Sequence, residues 1–194
     1  ATTVIHEFGH GYSLAVYKPS IDKSLDINET YSQGNEVLFA TYLQNNYEEE
    51  FVQGVGLYNL HNLYRGLLKC SYAVDVENYL FENYDELSID DLYEGVQDIY
   101  ASYRASDVRE TYWIYPTIAS SGYYISYVTS CVSALELYNI ALADFNKAKN
   151  IYMNLVNQKE MFGEVEAWTK AGFASPFKES TIIDISNFFI VKKH

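Results

Sequence analysis

The sequence predicts a mainly α fold, and three observations carry that expectation. Apolar residues recur at helical spacing nearly everywhere along the 194-residue chain. A strand signal is confined to Tyr112–Tyr115. No internal repeat and no linker separates two domains, so the chain reads as mostly α with one core. The first helix is expected over 1–17, where ATTVIHEFGHGYSLAVY repeats its apolar positions before Pro19. Residues 18–33 are polar and read as a connecting loop. A second helix is expected from Gly34 or Asn35, with Val37, Leu38, Tyr42 and Leu43 inward. A long helical stretch covers 51–84, where Gly54, Gly56 and Gly66 predict close helix contacts or breaks. Ser88 followed by Asp91 resembles a capping box and starts a helix over 89–103. Residues 104–121 read as an irregular loop around Pro116. Helical spacing resumes over 122–143, 145–157 and 162–171, the last closed by Gly172, with a final helix over 179–190.

Composition narrows the function classes. The 26 acidic residues outnumber 13 basic ones, and a net charge of -13 repels phosphate backbones, so nucleic acid is excluded as a partner. No apolar run reaches the roughly 18 residues of a membrane span, so neither a transmembrane helix nor a membrane partner is expected. No basic, apolar leader opens the sequence, and Cys70 and Cys131 cannot make a disulfide framework. These features together point to a cytoplasmic protein with reduced thiols. The 20 tyrosines exceed ordinary usage and call for an explanation in packing or in a site.

The strongest chemistry stands near the start, in His6-Glu7-Phe8-Gly9-His10, an H-E-x-x-H motif on a predicted helix. Spacing of four puts both imidazoles on one helix face, where they can share a metal ion. Imidazole nitrogen suits Zn²⁺, and a catalytic zinc takes three protein ligands with a position open to water. Glu7, next to the first ligand, is placed to act as general base on that water. For the third ligand the candidates are Asp22, Asp26 and Glu29 in the polar loop and Glu36 at the start of the next helix. Glu36 is preferred, because a ligand on a helix is better held than one on a loop; Glu29 comes second. Gly9 and Gly11 are the small residues expected at the helix crossing. His61 reads as a helix-face residue and His194 is terminal. Further on, Gly122-Tyr123-Tyr124-Ile125-Ser126-Tyr127 leads into a helix. Phenol hydroxyls donate hydrogen bonds without charge, which suits an oxyanion, although most helical tyrosines serve packing.

In this order, the H-E-x-x-H motif, Asn35-Glu36-Val37 and the tyrosine segment resemble one family. It is the thimet oligopeptidase and oligoendopeptidase F family of zinc metallopeptidases, in its C-terminal catalytic part. The likeness extends to the Ser88-Ile89-Asp90-Asp91-Leu92 helix start and to Lys170-Ala171-Gly172-Phe173. The resemblance implies a zincin-like helical catalytic core in which His6, His10 and Glu36 bind Zn²⁺ and Glu7 activates water. It further implies Tyr124 and Tyr127 as donors to substrate or oxyanion, and short peptides as substrates. The family has a histidine in the loop before the tyrosines; here residues 104–121 contain none, with Tyr115 or Thr117 near its place. Losing such a donor typically costs about 2.7–4 kcal/mol in the transition state. The family's chains are also longer, so residues 1–194 are expected to form a single partial catalytic domain, the C-terminal fragment of a longer peptidase. Alternatives from other classes are a non-catalytic, decayed peptidase-like module that binds peptides, and a structural zinc site, which would favour cysteine ligands.

Overall fold

The computed structural model describes residues 2–16, 24–103, 120–158 and 162–191. Among the described residues the chain forms eight helices and no strand. They are α1 (Thr2–Val16), α2 (Leu25–Asn46), α3 (Glu50–Asn83), α4 (Ile89–Ser102), α5 (Tyr123–Ala143), α6 (Phe145–Val156), α7 (Glu164–Ala171) and α8 (Glu179–Val191). The mainly α class read from periodicity is therefore the observed one. The strand signal at Tyr112–Tyr115 lies outside the described residues, as do Asp22, Tyr115, Thr117 and His194.

Helix starts follow local side-chain chemistry. Ser88 caps α4: its hydroxyl oxygen accepts the Asp91 backbone N–H at 3.2 Å, and the hydroxyl donates to the Asp91 carboxylate at 2.6 Å. Asp144 caps α6 by accepting from Lys147 N–H at 2.9 Å. Gly172, in the left-handed region at φ 110°, closes α7. The glycines of α3 do not break it. Gly56 faces the backbone of Ala40 on α2, whereas Gly54 and Gly66 meet nothing.

One boundary differs from expectation. Helix α2 begins at Leu25 rather than at Gly34, with Ser24 as its cap. Its first turns are polar yet buried: Glu29, Thr30, Ser32 and Gln33 are all inside. Glu29, Thr30 and Ser32 have hydrogen-bond partners, as buried polar groups require, whereas Gln33 Oε1 is buried with none. Trp168 Nε1 donates to the Thr30 hydroxyl at 3.1 Å, which in turn donates to the Asp26 carbonyl at 2.7 Å. A helix that buries polar residues shows no apolar stripe, so its spacing could not reveal it.

The structure divides into two compact units, Ala1–Tyr64 with Thr129–His194, and Arg65–Val128. In the first, α1, α6 and α7 all pack on α2. Its core includes Tyr31, Val37, Leu135, Leu155 and Trp168, each essentially inaccessible. The Tyr152 hydroxyl donates to the Tyr31 carbonyl at 3.0 Å and ties α6 to α2. Helix α5 is long and apolar enough to cross a membrane, but 61% of its apolar window is buried, and Leu135, Leu137 and Ala141 are among the core residues. In the second unit, Tyr72, Val76, Leu80 and Val96 form the core, with Leu92, Ile99 and Tyr100 packed against it. The Tyr72 and Tyr100 rings meet edge to face with centroids 4.8 Å apart, and burial pushes the Tyr72 phenol up to about 12. Part of the tyrosine excess is thus packing. Cys131 is buried and Cys70 half-buried, and neither forms a disulfide.

Candidate metal centre

His6 and His10 sit one turn apart on α1, their rings nearly perpendicular with centroids 5.0 Å apart. The crossing helix α2 brings Glu29, only 5% exposed, against both. One Glu29 oxygen lies 3.4 Å from His6 Nε2 and the other 3.8 Å from His10 Nε2. Ligand atoms of these three residues all lie within 4.8 Å of one another. Two ligands at ~2.1 Å from a tetrahedral ion stand about 3.4 Å apart, which the His6–Glu29 separation matches while His10 Nε2 stands somewhat farther from the carboxylate. The donor set, two imidazoles and a carboxylate, is also one that zinc takes in catalytic sites.

Helix α1 approaches this closely because Gly9 lacks a side chain. A Cβ there would stand 2.7 Å from both Ser32 Cα and the Tyr31 carbonyl oxygen. Gly11, expected at the same crossing, meets nothing within 4 Å. Asn35 ties the helices by donating to the Ile5 carbonyl at 2.7 Å. The Ser32 hydroxyl, 3.0 Å from the Glu29 carbonyl and 3.2 Å from its Oε2, shares its one proton between them and lies against the carboxylate.

Glu36, preferred from the sequence as third ligand, takes a different place. Its Oε1 lies 2.7 Å from His6 Nδ1, the nitrogen on the far edge of the ring from Glu29. Because α2 starts at Leu25, Glu29 is itself a helical residue, two turns before Glu36 and on the same face. A helix therefore holds Glu29 as firmly as it holds Glu36. The signal of Glu29 in the sequence was the seven-residue spacing of the two glutamates, legible only once the helix start is known. Ser32 gave no comparable signal, and Asn35 was noted only as part of Asn35-Glu36-Val37.

Two carboxylates dominate the electrostatics at His6. Burial alone would lower the His6 pKa, but hydrogen bonds to Glu29 and Glu36 and their charges outweigh it and push it up to about 9. Glu7, beside the first histidine, is exposed. Asp26 accepts from the Thr129 hydroxyl at 2.5 Å, away from any part in the trio, and His61 is exposed on α3. Tyr124 and Tyr127 belong to the Arg65–Val128 unit. There the Tyr127 and Tyr123 hydroxyls share a hydrogen bond of 2.7 Å, and the Tyr124 ring meets Tyr123 edge-on.

No family model and no curated protein sequence matches the chain. Among solved structures, PZ peptidase A with inhibitor 2 matches at TM-score 0.77 and 17% identity over 96% of this chain and 35% of its own. A chain assigned as an oligoendopeptidase F from Bacillus anthracis str. Ames matches at TM-score 0.70 and 22% identity, over 98% of this chain and 33% of its own. Another chain assigned as an oligoendopeptidase F matches at TM-score 0.72 and 18% identity, over 95% and 35% respectively. This chain thus spans about a third of the length of the structures it matches, and it has the helical fold found in that part of these peptidases.

Proposed function

We propose that this chain carries the zinc centre of a metallo-oligopeptidase that hydrolyses short peptides. The observation that supports this reading best is the convergence of His6, His10 and Glu29, drawn from an H-E-x-x-H helix and the helix crossing it. His6 and His10 would hold the ion through Nε2 and Glu29 through its carboxylate; this replaces Glu36 as third ligand. Bound zinc supplies Lewis acidity and lowers the pKa of water toward about 7.

The chain's own residues divide the remaining work. Glu7 takes the proton from the attacking water and returns it to the leaving amine, as general base and then acid. Glu36 accepts the Nδ1–H of His6, which leaves Nε2 free to bind metal and holds the ring in place. Tyr124 and Tyr127 donate hydrogen bonds to the substrate or its oxyanion. The substrate class and turnover belong to the whole protein to which this chain contributes the metal centre. Glu7→Gln in that protein retains zinc and lowers hydrolysis of an internally quenched peptide by about 100-fold or more. Unchanged turnover with zinc in place removes Glu7 from the mechanism.

A further inference from the structure

Helix α5 opens without an acidic residue in its first turn, although a helix N-terminus favours negative charge. That charge comes from elsewhere in the same unit. Glu77 on α3 is 8% exposed, and its Oε1 accepts the Ser121 hydroxyl at 2.6 Å and the Gly122 N–H at 2.7 Å. Gly122 has φ +72°, a conformation that side chains other than glycine rarely adopt. Tyr123 N–H closes the turn onto the Ser120 carbonyl at 3.0 Å. A buried carboxylate without partners is costly, so the clasp holds both ends: the turn satisfies Glu77, and Glu77 fastens the turn. Tyr123 and Tyr124 follow immediately and Tyr127 one turn later, with the Tyr123 and Tyr127 hydroxyls 2.7 Å apart.

We infer that Glu77 is a positioning residue for the tyrosine segment: through Ser121 and Gly122 it sets where the phenols at the start of α5 stand. This rests on the peptidase reading for its functional consequence, but the clasp itself does not. A side chain that touches no substrate still governs rate if it places the donors, since a displacement of about 1 Å costs up to roughly 100-fold.

The test uses the full-length protein with 3-fluorotyrosine at Tyr127, comparing wild type with Glu77→Ala, Glu77→Gln and Ser121→Ala. Tyr103, bonded to Asp75 at 2.6 Å, carries the same label as an internal reference. The expected result is a shifted or broadened Tyr127 fluorine resonance in Glu77→Ala, with Tyr103 unchanged. Glu77→Gln and Ser121→Ala, each of which keeps part of the clasp, should give intermediate changes. Peptide hydrolysis should fall about tenfold or more in kcat with KM held within about twofold. An unmoved Tyr127 resonance in all three variants overturns the proposal, as does a moved resonance with unchanged kcat in an active enzyme. If wild type hydrolyses no peptide while the resonance moves, the clasp stands and the peptidase reading fails. Should Glu77→Ala not fold, the two milder variants decide by the same criteria.

Discussion

At the scale of single residues, Glu29 and Glu36 have the same chemistry and stand on the same helix face, yet they meet opposite nitrogens of one imidazole. Removing them should therefore have different consequences. Glu29→Ala takes away a ligand, so stoichiometric zinc is expected to be lost in competition with a chromophoric chelator. Glu36→Ala leaves the trio intact but frees the His6 ring, and affinity should fall about 10- to 100-fold. Glu36→Gln recovers part of that, because its amide oxygen still accepts the Nδ1–H. The reverse pattern would return Glu36 to the metal. A second carboxylate gives a prediction in pH. Burial raises the pKa of Glu136, and the Ala174 N–H it accepts at 2.9 Å only partly offsets this. A group whose folded pKa is raised contributes stability below its unfolded pKa and loses it as pH rises through the folded value. Glu136→Gln keeps an acceptor for Ala174 without ionising. Its melting temperature relative to wild type should climb as pH goes from about 4 to 8. A constant difference across that range would remove Glu136 as the source.

The α1–α2 crossing shows what one element demands of another. A Cβ at position 9 would press on the backbone of Tyr31 and Ser32, which cannot rotate away as a side chain can. Gly9→Ala should force the helices apart, costing about 1–3 kcal/mol in chemical denaturation and weakening zinc binding through the displaced histidines. Gly11→Ala meets nothing, so it should bring a gain of up to about 1 kcal/mol and leave zinc affinity alone. Equal effects at both positions would mean that the crossing does not set the metal geometry. The same pair shows how far the sequence could be read. The helix carrying His6 and His10 was legible because its apolar residues repeat. Helix α2 was legible only from Gly34 on, because Glu29, Thr30, Ser32 and Gln33 are polar and buried. Apolar spacing measures burial of hydrocarbon, and this helix buries a hydrogen-bonded network instead. Glu29 was ranked behind Glu36 for the same reason, since without that boundary it read as a loop residue. Glu77 was hidden for another reason: its partners Ser121 and Gly122 are distant in sequence, and no spacing rule joins them.

For the whole molecule, the helical class was readable because it is a sum over many segments, in which an error at one boundary cancels little. The proposed metal centre would add a coupling that no single segment has, since its candidate ligands come from two helices. An ion bound there must hold α1 and α2 together in the folded state and has no equivalent site in the unfolded chain. Zinc at about 100 times its dissociation constant should stabilise folding by about 2.7 kcal/mol. For a chain of this size that corresponds to a rise of roughly 5–10 °C in melting temperature, reversed by a chelator. An acidic chain of net charge -13 also attracts cations diffusely, and that effect must be separated from site binding. Two comparisons do so. Glu29→Ala retains nearly all the negative charge and should lose the zinc-dependent rise, while magnesium at the same concentration should not produce it. Amide hydrogen exchange should slow over 3–13 and 25–37, with α4, which carries none of the ligands, as reference. A rise that persists in Glu29→Ala would assign the stabilisation to diffuse charge, and the trio would lose its claim to be a metal centre.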